Sequence, residues 1–167
     1  MKVTGDDARS PIARYNGAAM MINPMTEREC AEVLSRVSIG RLGCALDNQP
    51  YVLPIFFAHD GKNIYALSTL GQKIEWMRAN PKVCVQVDEI KGEGQWVSVI
   101  VNGRYQELPE PEFEEERAHA RQLLEKRHHW WLNSMGERLM KSSGSLIEPL
   151  FFCIQIDSVT GLRAEPK

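Results

Sequence analysis

Residues 64–81 read IYALSTLGQKIEWMRANP, and the residue types follow the order strand, small polar turn, short helix. Ile64 and Tyr65 favour a strand, Ser68 and Thr69 carry hydroxyls, and Gly71 allows close backbone approach. Lys73 then puts a cation on the first helical turn. The first amides of a helix lack intrahelical acceptors and lie at the positive end of its dipole, so a phosphate is favoured there. A plainer assignment uses the same residues: Ser68 or Thr69 caps the helix and Lys73 is a solvated surface charge.

The surrounding pattern sets the fold class. Thr26-Glu27-Arg28-Glu29 is a capping box, and Cys30, Val33, Leu34 and Val37 follow it at helical spacing, giving one apolar stripe. Strands are expected at 41–46, 51–58 and 63–67, separated by turns at Asp47-Asn48-Gln49-Pro50 and Asp60-Gly61. After the short helix, Val83, Val85 and Val87 alternate with Cys84, Gln86 and Asp88 as a strand with one better-buried face. Further strands are expected at 96–101 and near 151–159, and a helix at 111–127 with glutamates at its start and Lys126-Arg127 at its end. Six short strands with three helices do not read as βαβ units. The expected architecture is a mainly β, α+β domain: a six-stranded antiparallel split β-barrel with flanking helices, which removes exposed strand edges.

Length and charge narrow the function. The 167 residues suit one domain, expected to span 20–167 behind a polar, flexible arm of residues 1–19 without a signal-type apolar run. A net charge of −2 offers no footprint for nucleic acid, and no apolar stretch is long enough to cross a membrane as a helix. Cys30, Cys44, Cys84 and Cys153 form no CxxC pair, and the four histidines show no metal-ligand spacing. A reducing cytoplasm and no metal site are therefore expected.

Several segments, in order, resemble the FMN-binding split-barrel family related to pyridoxamine 5'-phosphate oxidase. They are Val37-Ser38-Ile39-Gly40-Arg41-Leu42, the run from Tyr51 through Phe57 with Asp60-Gly61, the STLGQK turn followed by Asn80-Pro81-Lys82-Val83, Trp96 to Gly103-Arg104, and Thr160-Gly161. The resemblance implies an FMN cofactor, with its phosphate at Ser68, Thr69, Gln72 and Lys73. It places the isoalloxazine along Leu53, Pro54, Ile55, Phe56 and Phe57. It also implies a homodimer with the cofactor at the interface, where Trp130 or Trp131 would cover the ring, with Ser98 a further contact.

From the residues alone, adjacent Phe56 and Phe57 must face opposite sides of their strand, and the tryptophans could equally seal a barrel mouth. The chain ends Gly161-Leu162-Arg163-Ala164-Glu165-Pro166-Lys167, without the terminal Arg-Leu-Ala-Pro of true pyridoxamine-phosphate oxidases. A flavin-dependent oxidoreductase acting on a small molecule is the expected function, with a non-catalytic flavin-binding or storage protein as the alternative.

Overall fold

The computed structural model describes residues 20–92, 94–127 and 149–167. The elements run β1 (Met20–Pro24), α1 (Glu27–Arg36), β2 (Ile39–Leu46), β3 (Gln49–His59), β4 (Asn63–Ser68), α2 (Gln72–Ala79), β5 (Lys82–Gly92), β6 (Gln95–Glu107), α3 (Glu114–Glu125) and β7 (Leu150–Pro166). All strand pairs are antiparallel, and their order is β1-β7-β4-β3-β2-β5-β6, with β7 also pairing β6. That last pairing closes β7-β4-β3-β2-β5-β6 into a ring of six strands. The expected six-stranded barrel is thus present, and β1, which the alternation of residues did not reveal, is a seventh strand laid against the end of β7.

Closure depends on β7. It pairs β4 through 150–155, β6 through 152–164 and β1 through 162–166, so it changes one neighbour partway along its length. Opposite Asn102 and Gly103 the register slips and Asp157 is the extra residue of a bulge, which bends the strand. Only a glycine fits at the bend: a Cβ on Gly103 would sit 2.3 Å from the Gln155 carbonyl oxygen.

The barrel core gathers one face of each strand of the ring. Leu42, Phe57, Ile64, Val85, Val87, Val99, Val101, Phe152 and Ile154 are fully buried there, joined by Val33 and Leu34 of α1 and by Ile74 and Met77 of α2. The capping box forms as expected: the Thr26 hydroxyl accepts from the Glu29 amide and Glu29 accepts from the Thr26 amide at 2.8 Å. The two helices serve opposite ends. Leu34 of α1 shares a cleft with His59 at the end of β3, whereas Trp76 of α2 meets the Tyr51 ring near its start, at 5.5 Å.

A smaller apolar cluster outside the ring packs Ala120 and Leu124 of α3 on Ala58, Tyr65, Phe151 and Cys153. Helix α3 is shorter than expected, and Lys126 and Arg127 lie beyond its last turn. Arg127 does not complement its own helix. Its guanidinium donates to the carbonyls of Val37 (2.7 Å) and Leu34 (3.2 Å), completing the C-terminus of α1.

The middle of α3 is tied through Asp60. One carboxylate oxygen accepts the amides of Lys62 and Asn63, and the other accepts the Tyr65 hydroxyl at 3.0 Å and meets His119 Nε2 of α3 at 3.3 Å. Burial opposes the Asp60 charge, but these donors outweigh it and hold its pKa below the ordinary aspartate value. Tyr65, buried and donating to that carboxylate, is pushed up to about 12.

Asp60→Asn is expected to lower stability by about 1–3 kcal/mol at pH 7, read by urea unfolding. Because the folded pKa of Asp60 is depressed, its contribution is complete above the unfolded value, near 4. It is lost as pH falls through the lower folded value, so the gap between wild type and variant should close on acidification across that window. A gap that persists below it would assign the effect to packing alone.

Candidate functional site in the split of the barrel

The ring is not evenly sealed. β3 pairs β2 along 49–56 but pairs β4 only at Phe57, Ala58 and His59. Beyond Phe57 and Ala66 the two strands part, because β4 continues alongside β7 to Ser68 and then turns into α2. The two lips of this split are β3 from about residue 51 to 56 and the turn of residues 68–73.

The alternation of an antiparallel ladder determines what the β3 lip presents. The Phe57 amide donates to Ser38 (3.0 Å), so Phe57, Ile55 and Leu53 direct their backbone groups at β2. Val52 and Pro54 direct theirs outward, along an edge that no strand pairs among the described residues. Pro54 fits such an edge because its nitrogen has no hydrogen to leave unsatisfied. Side chains divide the other way. Ile55 and Phe57 are buried in the barrel core, with Leu53 packed against it, whereas Val52 and Pro54 are exposed on the outer face. Phe56 packs against the second cluster, so the two phenylalanines face opposite sides as their adjacency requires. Of the ring platform expected from 53–57, Leu53, Ile55 and Phe57 therefore turn both their side chains and their backbone polar groups away from the split.

The opposite lip is the start of α2. Its N-cap is Gly71, in an extended conformation and without a side-chain cap, so the expected capping by Ser68 or Thr69 does not occur. The Ser68 hydroxyl is buried and donates to the Thr69 carbonyl at 2.9 Å. A Cβ on Gly71 would meet nothing within 4 Å, so the chain's own packing does not demand glycine there and space lies open in front of the turn. Gln72 is exposed and Lys73 half-buried.

Lys73 carries the electrostatic signature. Burial lowers its pKa from the ordinary lysine value, opposed by the nearby Cys44 thiol, and no carboxylate pairs with it among the described residues. Lys73 is therefore not the freely solvated charge of the plainer assignment. A half-buried cation beside uncapped helix amides is a place where an anion lowers the free energy of the fold.

Ser98 lies elsewhere. It is on the outer face of β6, where its hydroxyl meets Gln86 Nε2 at 3.3 Å, and β5 and β2 separate it from β3. Trp130 and Trp131 lie outside the described residues. A polar network around Ser98 was not anticipated. Arg41 donates to Asp88 (2.5 Å) and Gln86 (3.3 Å), and Gln86 donates to Asp88 (3.0 Å). Alternation marks each of these residues as outward-facing, but which strands adjoin is a property of the closed ring.

Comparison with known proteins agrees with this fold. The sequence profile of the pyridoxamine 5'-phosphate oxidase family matches residues 26–163. An uncharacterized protein of Rhizobium meliloti is 42% identical over 146 residues, 87% of this chain and 97% of that protein. The crystal structure of an FAD-binding protein from Mesorhizobium loti, 42% identical, aligns with a TM-score of 0.71 over 88% of this chain and 99% of that one. An FAD-binding protein from Mycobacterium smegmatis shares the fold at 21% identity, with a TM-score of 0.61 over 86% of this chain and 99% of that one.

Lys73→Met keeps the bulk of the side chain and removes the charge. In the ligand-free protein, differential scanning fluorimetry is expected to show an unchanged or higher midpoint, since a cation without a counter-charge is removed. A clear loss of stability would mean that the ammonium is satisfied within the fold.

The family profile covers most of the sequence, and the ring of strands has the architecture of its relatives: this chain belongs to the pyridoxamine 5'-phosphate oxidase family.

Proposed function

We propose that the protein binds a flavin nucleotide in the split and acts as a flavin-dependent oxidoreductase on a small molecule. The observation that carries the reading is the half-buried Lys73 at an uncapped helix start, in a chain whose β3 has an edge with outward main-chain groups. In this reading Lys73, with the amides of Gln72 and Lys73 and the Thr69 hydroxyl, holds the phosphate next to the ribityl chain. The outward groups of Val52 and Pro54 hydrogen-bond the edge of the ring. That phosphate occurs in FMN and in the FMN half of FAD. FMN is the ligand proposed, and the 42% identical FAD-binding relative makes FAD the natural comparison. A bound flavin supplies two-electron redox chemistry, while the chain supplies orientation and anion recognition. A reducing, cytoplasmic setting accords with four free cysteines, three of them buried.

The composition of the lips favours one further reading. Residues 51–56 and 68–73 include no carboxylate or imidazole, so no acid or base stands beside the ring among them. A flavin-binding or storage protein without turnover has no need of one.

Fluorescence titration should give FMN a higher affinity than riboflavin, and Lys73→Met should weaken FMN about ten- to a hundredfold while leaving riboflavin unchanged. Equal affinity for FMN and riboflavin would remove the phosphate site. Enzyme and carrier are separated by stopped-flow reduction of the bound flavin with NADH and NADPH. Bleaching in a single turnover, followed by reoxidation by an acceptor faster than by oxygen alone, is expected of the enzyme. A flavin that neither nicotinamide reduces would leave binding as the function.

A further inference from the structure

A second opening lies along β7, at the α1 end of the barrel. β4 accompanies β7 only as far as Asn63, opposite Gln155, and β1 joins it at Pro24, opposite Leu162. In that interval main-chain groups are left over. Gly161 turns its carbonyl away from β6 and accepts the Met25 amide at 2.9 Å. Val159, two positions earlier, directs its N–H and C=O to the same side, and no hydrogen bond reaches them among the described residues. Burying such a pair without a partner is unfavourable.

Val159 lines a cleft of about 410 Å³ together with Ala31 and Leu34 of α1, Ile156, Gly61 and His59. The His59 imidazole is half-buried, and no hydrogen bond to its ring forms among the described residues. Burial lowers its pKa from the ordinary histidine value; the Asp60 carboxylate opposes this and the Arg127 guanidinium adds to it. The ring is therefore neutral at pH 7, with one nitrogen a donor and the other an acceptor. The charged groups of the lining leave no cation to spare. Arg28 is paired with Glu32 at 3.2 Å and Asp157 with Arg104 at 3.0 Å, so Glu27 gives the cleft a carboxylate in excess and an anion is disfavoured. Both ends of the opening are closed. The Ile156 amide donates to the Lys62 carbonyl at one end and Gly161 is bound to Met25 at the other, so a peptide strand cannot run through it.

We propose that this cleft is a second ligand site, separate from the split, for an uncharged planar ring that carries a carbonyl and an N–H side by side, the edge of a pyrimidine base such as uracil. That edge matches the N–H and C=O that Val159 presents, as a neighbouring strand would. His59 supplies a further hydrogen bond, and Ala31, Leu34 and Ile156 supply apolar walls for the faces of the ring. A compact apolar cleft with a few convergent polar groups is the usual form of a small-molecule site. The proposal does not rest on the flavin reading, because Lys73 belongs to α2 at the other end of the barrel.

Calorimetric titration of uracil into the full-length protein should give saturable one-to-one binding, with a dissociation constant of about 0.1–1 mM for a ligand of so few atoms. Dimethyluracil, methylated at both ring nitrogens, keeps the ring and loses its donors, and it should bind at least about tenfold more weakly. Ala31→Leu fills the cleft from α1 and should abolish uracil binding, and His59→Phe should weaken it about tenfold. In amide NMR spectra uracil should shift the Val159 and Gly61 resonances and leave that of Lys73 in place. Cooperative thermal unfolding identifies which variants are folded, and the two titrations of wild type decide the matter if Ala31→Leu is not. No saturable binding up to about 10 mM uracil, equal affinity for dimethyluracil, or wild-type affinity in folded Ala31→Leu would overturn the proposal. So would a shift at Lys73 in place of Val159, which would put the probe in the split. Each of these results leaves flavin titration free to succeed or fail.

Discussion

One strand closing a ring governs the rest of this structure. β7 must lie beside β4 and β6 in its first half and beside β6 and β1 in its second. A regular strand cannot turn between those neighbours, so the extra residue Asp157 bends it where Gly103 lets the two backbones come close. Given the closed ring, the apolar face of each of its six strands has one interior to fill, and α1 and α2 feed side chains into it from opposite ends.

Closure at β7 is balanced by incomplete closure between β3 and β4. Three residue pairs hold those strands together before they part. On one lip are main-chain groups with no strand beside them among the described residues, and on the other is a helix start without a cap. Each is unfavourable for a domain by itself. Lys73, half-buried, stands on the first turn of that helix.

The outer face shows paired ionic groups. Arg41 and Asp88 stand on neighbouring strands and neutralise one another, with Gln86 and Ser98 completing the donors. An exposed ion pair contributes little to stability. The lip and the outer face share Val52 and Pro54.

Local sequence determined what local physics determines. The capping box at Thr26, the alternation through residues 82–88 and the Asp47-Asn48 hairpin turn, whose residues both take positive φ, are interactions over a few positions, and each formed where its residues stand. Phe56 and Phe57 had to diverge because a strand alternates. Family resemblance added the expectation of a flavin at the turn around Lys73. Tertiary structure alone decided the seventh strand, since Met20–Pro24 is exposed and pairs with a segment more than a hundred residues away. It also decided that Arg127 caps α1 and that Gly71 begins α2. Likewise, it separated Ser98 from the split that holds Lys73. Such pairings depend on which strands become neighbours, and that follows from ring closure and not from any window of residues along the chain.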